Sequence, residues 1–507
     1  RLITHDELKT IVGVESDSSL YLGHSPLYDN CKIYVDINNM FSNHMAIFGN
    51  SGSGKSCGIS RIIQNIFSNK DFVPYKSNFL IFDSSSEYYT AFSNINSINP
   101  NYNYRFITTN SKSQYPHEIL SIPLWLLNVE DISLLLGVNT YTQISILEKT
   151  LKLVRIFAES SDKAIDYQNH LIASAIMTIL YSNQGSASKR DEIFSLFNTC
   201  QTEAFNLNAT VQGIGYTREF RKCFDIDNHG EFVERLLVTK YIQSFIDKDT
   251  RWNEDYVPIY FTLDQLEVAL NFALISDGLL FNEKSYSEAI ALKVKLHTIN
   301  NSSSKEFFDV SSYITTEEFI NSLIKNDKGG RVQIVNFVLE EVDDRLAKAL
   351  VKIYSRILFK FSKRLNPRGS MPIHIMLEEA HRYVQRDADT QLFGYNIFDR
   401  IAKEGRKYGV IMTLISQRPV DLSDTVISQC SNFIIFKMSH PRDIEYITKM
   451  IPNITEDTIE KQKSLQAGNC LAFGSGFKIP LIARLEMPNP TPQSNSCDVV
   501  DRWTVGS

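Results

Sequence analysis

The chain has 507 residues, 43% of them apolar and 22% charged, and a formal net charge of −6. That is the make-up of an ordinary soluble globular protein of about two to four domains. The mild acidity argues against a uniformly basic nucleic-acid binder, without excluding a ring that is acidic outside and basic in its channel.

The opening residues Arg1-Leu-Ile-Thr-His5 carry no basic stretch followed by an apolar one, so no signal peptide is expected. Without an initiator Met, the sequence reads as a fragment of a longer chain. Nothing approaches a run of about 18 apolar residues, so no membrane span is expected. The seven cysteines are scattered and none forms a C-x-x-C pair. That argues against a zinc ribbon or a disulfide framework, and makes a reducing cytoplasm the expected home.

Residues 1–43 read as short strands and turns, Ser19-Leu-Tyr-Leu-Gly23 and Cys31-Lys-Ile-Tyr-Val-Asp36, the end of a β-rich module. Residues 44–138 alternate strand and helix. His44–Phe48 is a short buried strand, and Gly49-Asn-Ser-Gly-Ser-Gly-Lys-Ser56 is a full G-x-x-x-x-G-K-[ST] loop. The helix after it has an apolar face of Ile59, Ile62, Ile63, Ile66 and Phe67. Asn78–Asp83 is an apolar run ending in an acid, expected beside the loop's strand. Tyr104–Thr108 and Pro123–Leu127 are weaker strand candidates.

Residues 139–328 read as a helical insertion, with helices expected over 141–159, 167–183, 191–200, 232–246 and 285–297. The strand–helix pattern returns over 329–488. It comprises a strand at 331–338, a long helix at 343–364, buried strands at 372–379, 410–417 and 432–437, and a helix at 398–407. On the long helix Lys348, Lys352, Arg356 and Lys360 recur every fourth residue, either a solvated face or a stripe facing phosphates or a second subunit. Residues 489–507 are Pro/Ser/Asn-rich and read as a tail. The alternation implies an α/β fold with a parallel-rich sheet.

The glycine-rich loop carries the chemistry. Its glycines let successive N–H groups converge on one concavity at the positive end of a helix, where phosphates bind. Asn50, Ser51, Gly52, Ser53, Gly54, Lys55, Ser56 and Cys57 form this cradle for ATP. Lys55 would reach the β/γ-phosphates and Ser56 would hold Mg²⁺. The Cys57 thiol is read as helix packing. Such a loop needs an acid at the C-terminal end of a nearby strand. Glu378 is assigned to Mg²⁺ and Glu379 to general base, against the plainer reading of two residues that end a strand and cap a helix. Gln417 ends the next strand, where an amide can touch the γ-phosphate or the lytic water. Arg406, with Lys407 second, is the candidate cation supplied to a neighbouring molecule's γ-phosphate; the alternative is an Arg favouring a helix end. Asp83 and Glu87 could place water or Mg²⁺, or could simply form a turn.

Taken together, Gly49–Ser56, Asp83-Ser-Ser-Ser-Glu-Tyr88, Leu377-Glu-Glu-Ala-His-Arg382, Glu404-Gly-Arg-Lys-Tyr-Gly409, Ile415-Ser-Gln-Arg-Pro419 and Leu465–Gly474 resemble the HerA branch of the HerA/FtsK ring ATPases. The resemblance covers roughly residues 18–150 and 330–485. It implies a RecA-like core, an N-terminal β-barrel of which 1–43 would be the remnant, and a hexameric ring with ATP at subunit interfaces. It further implies translocation of double-stranded DNA, work with a partner nuclease, or a joint complex with a sirtuin-like effector in anti-phage defence. A ring scaffold whose ATP state controls a bound effector is the alternative, and a type IV secretion coupling ATPase a third. The sequence departs from the family in lacking Pro-His-Gly between Asp83 and Glu87, and in placing Glu378 where Asp is commoner.

Overall fold

The apolar runs pair side by side. In a computed structural model, which describes residues 5–27, 31–247, 259–276, 283–385, 392–450, 456–494 and 503, they build one 12-stranded sheet. Its first strands are β1 (Ser19–His24), β2 (Lys32–Asp36), β3 (Met45–Phe48), β4 (Phe79–Asp83), β5 (Tyr104–Thr108) and β6 (Glu118–Ile119). A separate hairpin, β7 (Thr210–Gln212) and β8 (Thr217–Glu219), follows. The sheet resumes with β9 (Ile334–Val338), β10 (Ile373–Leu377), β11 (Val410–Ser416), β12 (Asn432–Ile435), β13 (Asn469–Gly474) and β14 (Leu481–Arg484). The order across it is β2-β1-β14-β13-β12-β3-β11-β10-β4-β9-β5-β6.

From β12 to β6 every pairing is parallel, so the C-terminal ends of these strands share one edge. From β12 to β2 every pairing is antiparallel. All residues of β3, β4, β9, β10 and β11 are buried, as a sheet covered on both faces requires. The glycine loop's helix, Lys55–Phe67, buries its isoleucine face, and Phe67 meets Phe79 and Tyr102 edge-on at 6.2 and 5.0 Å.

Several expectations are corrected. β4 does not lie beside the loop's strand: β3 pairs with β11 and β12, and β11 and β10 separate it from β4. Buried strands carry interchangeable apolar runs, so their order in the chain does not dictate their order in the sheet. Pro123–Leu127 is no strand. Leu124–Leu126 is a single 3₁₀ turn closed by the Leu126 amide donating to the Pro123 carbonyl at 3.1 Å. The strands expected to end a barrel extend the main sheet, β1 pairing with β14 through His24 and Arg484. The lysine stripe is not solvated along its whole length: Lys352 and Arg356 are 1% and 8% exposed, Lys348 is half-buried, and Lys360 is exposed.

The chain divides into two compact units, residues 1–120 with 316–507, and residues 121–315. These bounds differ from the 139–328 expected of the helical insertion. The helix Val129–Leu136 already belongs to the second unit and starts on a reciprocal cap between Asn128 and Asp131. The helix Thr316–Ile324 belongs with the sheet, leading into β9 through the Val332 amide and Ile324 carbonyl at 2.8 Å. Within the second unit run Tyr141–Phe157, Asp162–Leu180, Ser186–Thr199, Arg235–Gln243, Leu263–Ser276 and Glu283–Asn300. Phe197, Phe205, Phe220 and Phe224 form its aromatic centre. No helix among the described residues is long and apolar enough to cross a membrane.

Candidate functional site

The loop after β3 turns through Gly52 and Gly54 at φ +70° and +106°, values that only glycine adopts without strain. A side chain on Gly54 would also meet the Gly468 backbone nitrogen at 3.0 Å. The loop is held by its own atoms: the Ser53 hydroxyl donates to the Asn50 carbonyl at 2.7 Å, and Lys55 Nζ to the same carbonyl at 3.1 Å. The Gly468 amide donates to the Ser53 carbonyl at 3.1 Å, so the turn before β13 braces the loop. Gly54 caps the following helix with no side chain, leaving its first-turn amides for an anion.

β10 and β11 bring the predicted acids and amide to the same edge. Glu378 and Glu379 follow β10, and Gln417 follows β11, immediately beside the loop. The Ser51 hydroxyl donates to Gln417 Oε1 at 3.1 Å. Burial first, and then Asp83 and Glu87, push the Glu378 carboxyl well above the usual range. Burial also raises Glu87, while its hydrogen bond with Ser56 pulls it back down. The Lys55 ammonium is lowered by burial against the pull of Glu379, Glu378 and Glu87. Three carboxyls thus crowd one lysine, a pocket that favours a further cation.

Magnesium fits these residues. Glu378 Oε2 and Glu87 Oε2 are buried without a hydrogen-bond partner. Among the described residues no three acids, imidazoles or thiols are arranged to hold a metal by themselves. The donors present, the Ser56 hydroxyl and the buried carboxylates, suit a cation which keeps several waters and arrives with phosphates.

Asp83 is the turn-former of the group. Its Oδ1 accepts from the Ser85 and Glu87 amides, and its Oδ2 from the Tyr88 amide and Asn336 Nδ2. It presents Glu87 to Ser56 without the Pro-His-Gly common in the resembling family. Glu379 sits at φ +46°, a strained left-handed backbone of the kind that clusters at functional sites.

Arg406 is not brought to this site. It precedes β11, at the opposite edge of the sheet, about 20 Å away along a seven-residue strand. It is exposed there, as is Lys407, close enough to His44 to help burial lower that imidazole to about 4. Cys57 lies in the loop's helix with its thiol 3.8 Å from Ser494 Oγ.

Sequence reasoning missed some neighbours. His381 lies 3.2 Å from Ser416 Oγ and 3.1 Å from Glu379 Oε2. The only signal was its place in the run Glu378-Glu-Ala-His381. Residues 489–494, expected in a tail, run along the loop's helix. Gln64 pairs with Asn489 and Pro490, and the Gln493 amide donates to the Glu87 carbonyl at 2.8 Å. The rest of that expected tail, apart from Trp503, lies outside the described residues.

A profile of the HerA helicase central domain matches residues 20–358. A DNA double-strand break repair helicase HerA of Saccharolobus solfataricus is 30% identical over 227 residues, 42% of this chain and 45% of that protein. A probable helicase of Methanocaldococcus jannaschii is 22% identical over 488 residues, 96% of this chain and 73% of that protein. The chain thus spans less than half the length of the first of these relatives. The fold is similar to that of VirB4 of Thermoanaerobacter pseudethanolicus, with TM-score 0.52 and 14% identity, covering 94% of this chain and 98% of that one.

Proposed function

Because the chain belongs to the HerA-type ATPases of the HerA/FtsK superfamily, we propose that it is an ATP-driven ring motor that moves double-stranded DNA or powers a partner nuclease or effector. The observation that carries this reading is the convergence of the loop, Glu378, Glu379 and Gln417 on one sheet edge while Arg406 stands exposed at the other. A protomer with its phosphate site on one edge and an exposed cation on the other is completed head to tail, a contact that gives a ring where the rotation between subunits closes.

In this mechanism the loop amides and Lys55 hold the β- and γ-phosphates. Mg²⁺, when bound, spreads the phosphate charge; Ser56 and Glu378 would hold it, with Glu87 beside them. Glu379 takes a proton from water as its oxygen bonds the γ-phosphorus and the bond to the ADP oxygen breaks. Gln417 leaves Ser51 to touch the γ-phosphate or that water. Arg406 of one subunit stabilises the charge on the next subunit's γ-phosphate. A hexamer, a cytoplasmic setting and a role in anti-phage defence complete the proposal.

ATPase rates of the wild-type chain, with and without double-stranded DNA over a range of salt, test it. Stimulation that collapses as salt rises supports a DNA motor. Rates indifferent to DNA but raised by a co-encoded effector support the alternative, a ring scaffold. The residues that favour the alternative are Ile214 and Leu236 of the second unit, 100% and 88% exposed. No hydrolysis, or hydrolysis that survives Lys55→Ala, sinks both.

A further inference from the structure

His381 follows Glu379 by two residues, and its Nδ1 stands between two partners. It makes a hydrogen bond with Ser416 Oγ at 3.2 Å. It also lies 3.1 Å from Glu379 Oε2, yet that buried oxygen has no hydrogen-bond partner. Ser416 Oγ in turn accepts the Arg418 amide at 3.0 Å, bracketing Gln417 between the two ends of that bond. Gln417 Oε1 meanwhile accepts from Ser51 of the phosphate loop.

A single imidazole nitrogen carries one hydrogen or one lone pair, so it serves one of these two partners at a time. We propose that His381 is a positioning residue that exchanges its Nδ1 bond between Ser416 and the Glu379 carboxylate, coupling the γ-phosphate amide on β11 to the base on β10. Bonded to Ser416, it leaves Glu379 Oε2 unrestrained. When Gln417 turns from Ser51 to the phosphate, the Ser416–Arg418 turn shifts, and Nδ1–H passes to Glu379 and fixes it for proton transfer. The strained backbone of Glu379 suits a side chain held in two arrangements. This rests on the reading of the site as one that hydrolyses ATP.

The test compares kcat and nucleotide affinity from pH 5.5 to 9 in the wild type, His381→Ala, His381→Asn and His381→Gln, with a fluorescent ATP analogue for binding. His381→Ala is expected to lower kcat roughly 10–100-fold, the scale of a misplaced catalytic group, with affinity changed less than about 3-fold. Asn places an amide nitrogen where Nδ1 stands and is expected to recover most of kcat, whereas Gln does not. Full activity in His381→Ala overturns the proposal while leaving hydrolysis intact. So does an equal loss of kcat and affinity in Ala and Asn, which marks a merely structural role. A wild-type chain that does not hydrolyse ATP overturns both readings at once.

Discussion

Glu378 is a buried acid at the end of β10, and its neighbours Asp83 and Glu87 are also acids. Its carboxyl titrates above its ordinary value, so over the interval from that value upward the unfolded chain gives up a proton that the folded chain keeps. Stability of the nucleotide-free protein therefore falls as pH rises through that interval. Glu378→Gln removes the dependence. Its thermal midpoint, measured at pH 5 and pH 8, is expected to change less between the two than the wild type's, and to be the higher one at pH 8. The same change is expected to lower Mg²⁺-dependent hydrolysis by roughly 10²–10³-fold, the usual loss when one charge-stabilising group is removed. A variant less stable than the wild type at pH 8 contradicts the account of crowded charge. Glu379→Gln is expected to keep nucleotide binding and lose hydrolysis by roughly 10²–10⁴-fold, read in single-turnover assays.

At the scale of elements, the loop's helix is held close to β12 by a glycine. A side chain on Gly58 would meet Phe436 Cζ at 2.5 Å and Leu485 Cδ1 at 2.9 Å. Gly58→Val is expected to cost about 1–3 kcal/mol in denaturant melts, because a packed core resists added volume. The other end of the parallel strands is tuned by two buried histidines. His44 accepts the Met412 amide at Nδ1 and meets the Ala402 carbonyl at Nε2, and His374 stacks on Phe79 at 4.9 Å. Burial lowers both to about 4 from 6.5, with Arg406 adding to the effect at His44 and His44 at His374. Between those values the unfolded chain binds protons that the folded chain refuses. Stability is therefore lost as pH falls from about 6.5 toward 4, by up to about 1.4 kcal/mol per pH unit for each group. His374→Phe can keep the ring stack and is expected to flatten that acid-side slope.

For the whole molecule, the proposed trans role of Arg406, which stands away from the phosphate edge, would make catalysis a property of an assembly. Arg406→Ala and Glu379→Gln proteins, each inactive alone, are expected to regain measurable turnover when mixed. Hybrid interfaces would pair an intact base with an intact arginine. Absence of rescue at every mixing ratio removes Arg406 from the trans role. Much of this was legible in the residues. Gly49–Ser56 is a contiguous pattern, and Glu378, Glu379 and Gln417 end apolar runs, so their common edge follows from parallel pairing. Asn336 and Gln493 were not legible, because each acts through partners far along the chain and nothing in its own neighbours announces the pairing. His381 offered only its place two residues after Glu379; its contact with Ser416 on another strand was hidden.

The sequence by itself determined the phosphate loop, the alternation that makes a parallel sheet, and the residue types able to hydrolyse a nucleotide. These depend on local periodicity and short motifs, which short stretches of chain carry in full. Tertiary structure alone decided that β11 and β10 lie between β3 and β4, and that 19–36 extends the main sheet. It also decided that Lys352 and Arg356 are buried, and that Arg406 stands about 20 Å from its own phosphate loop. Buried strands of similar composition can be shuffled without changing any local pattern, so only their packing against one another selects a single order.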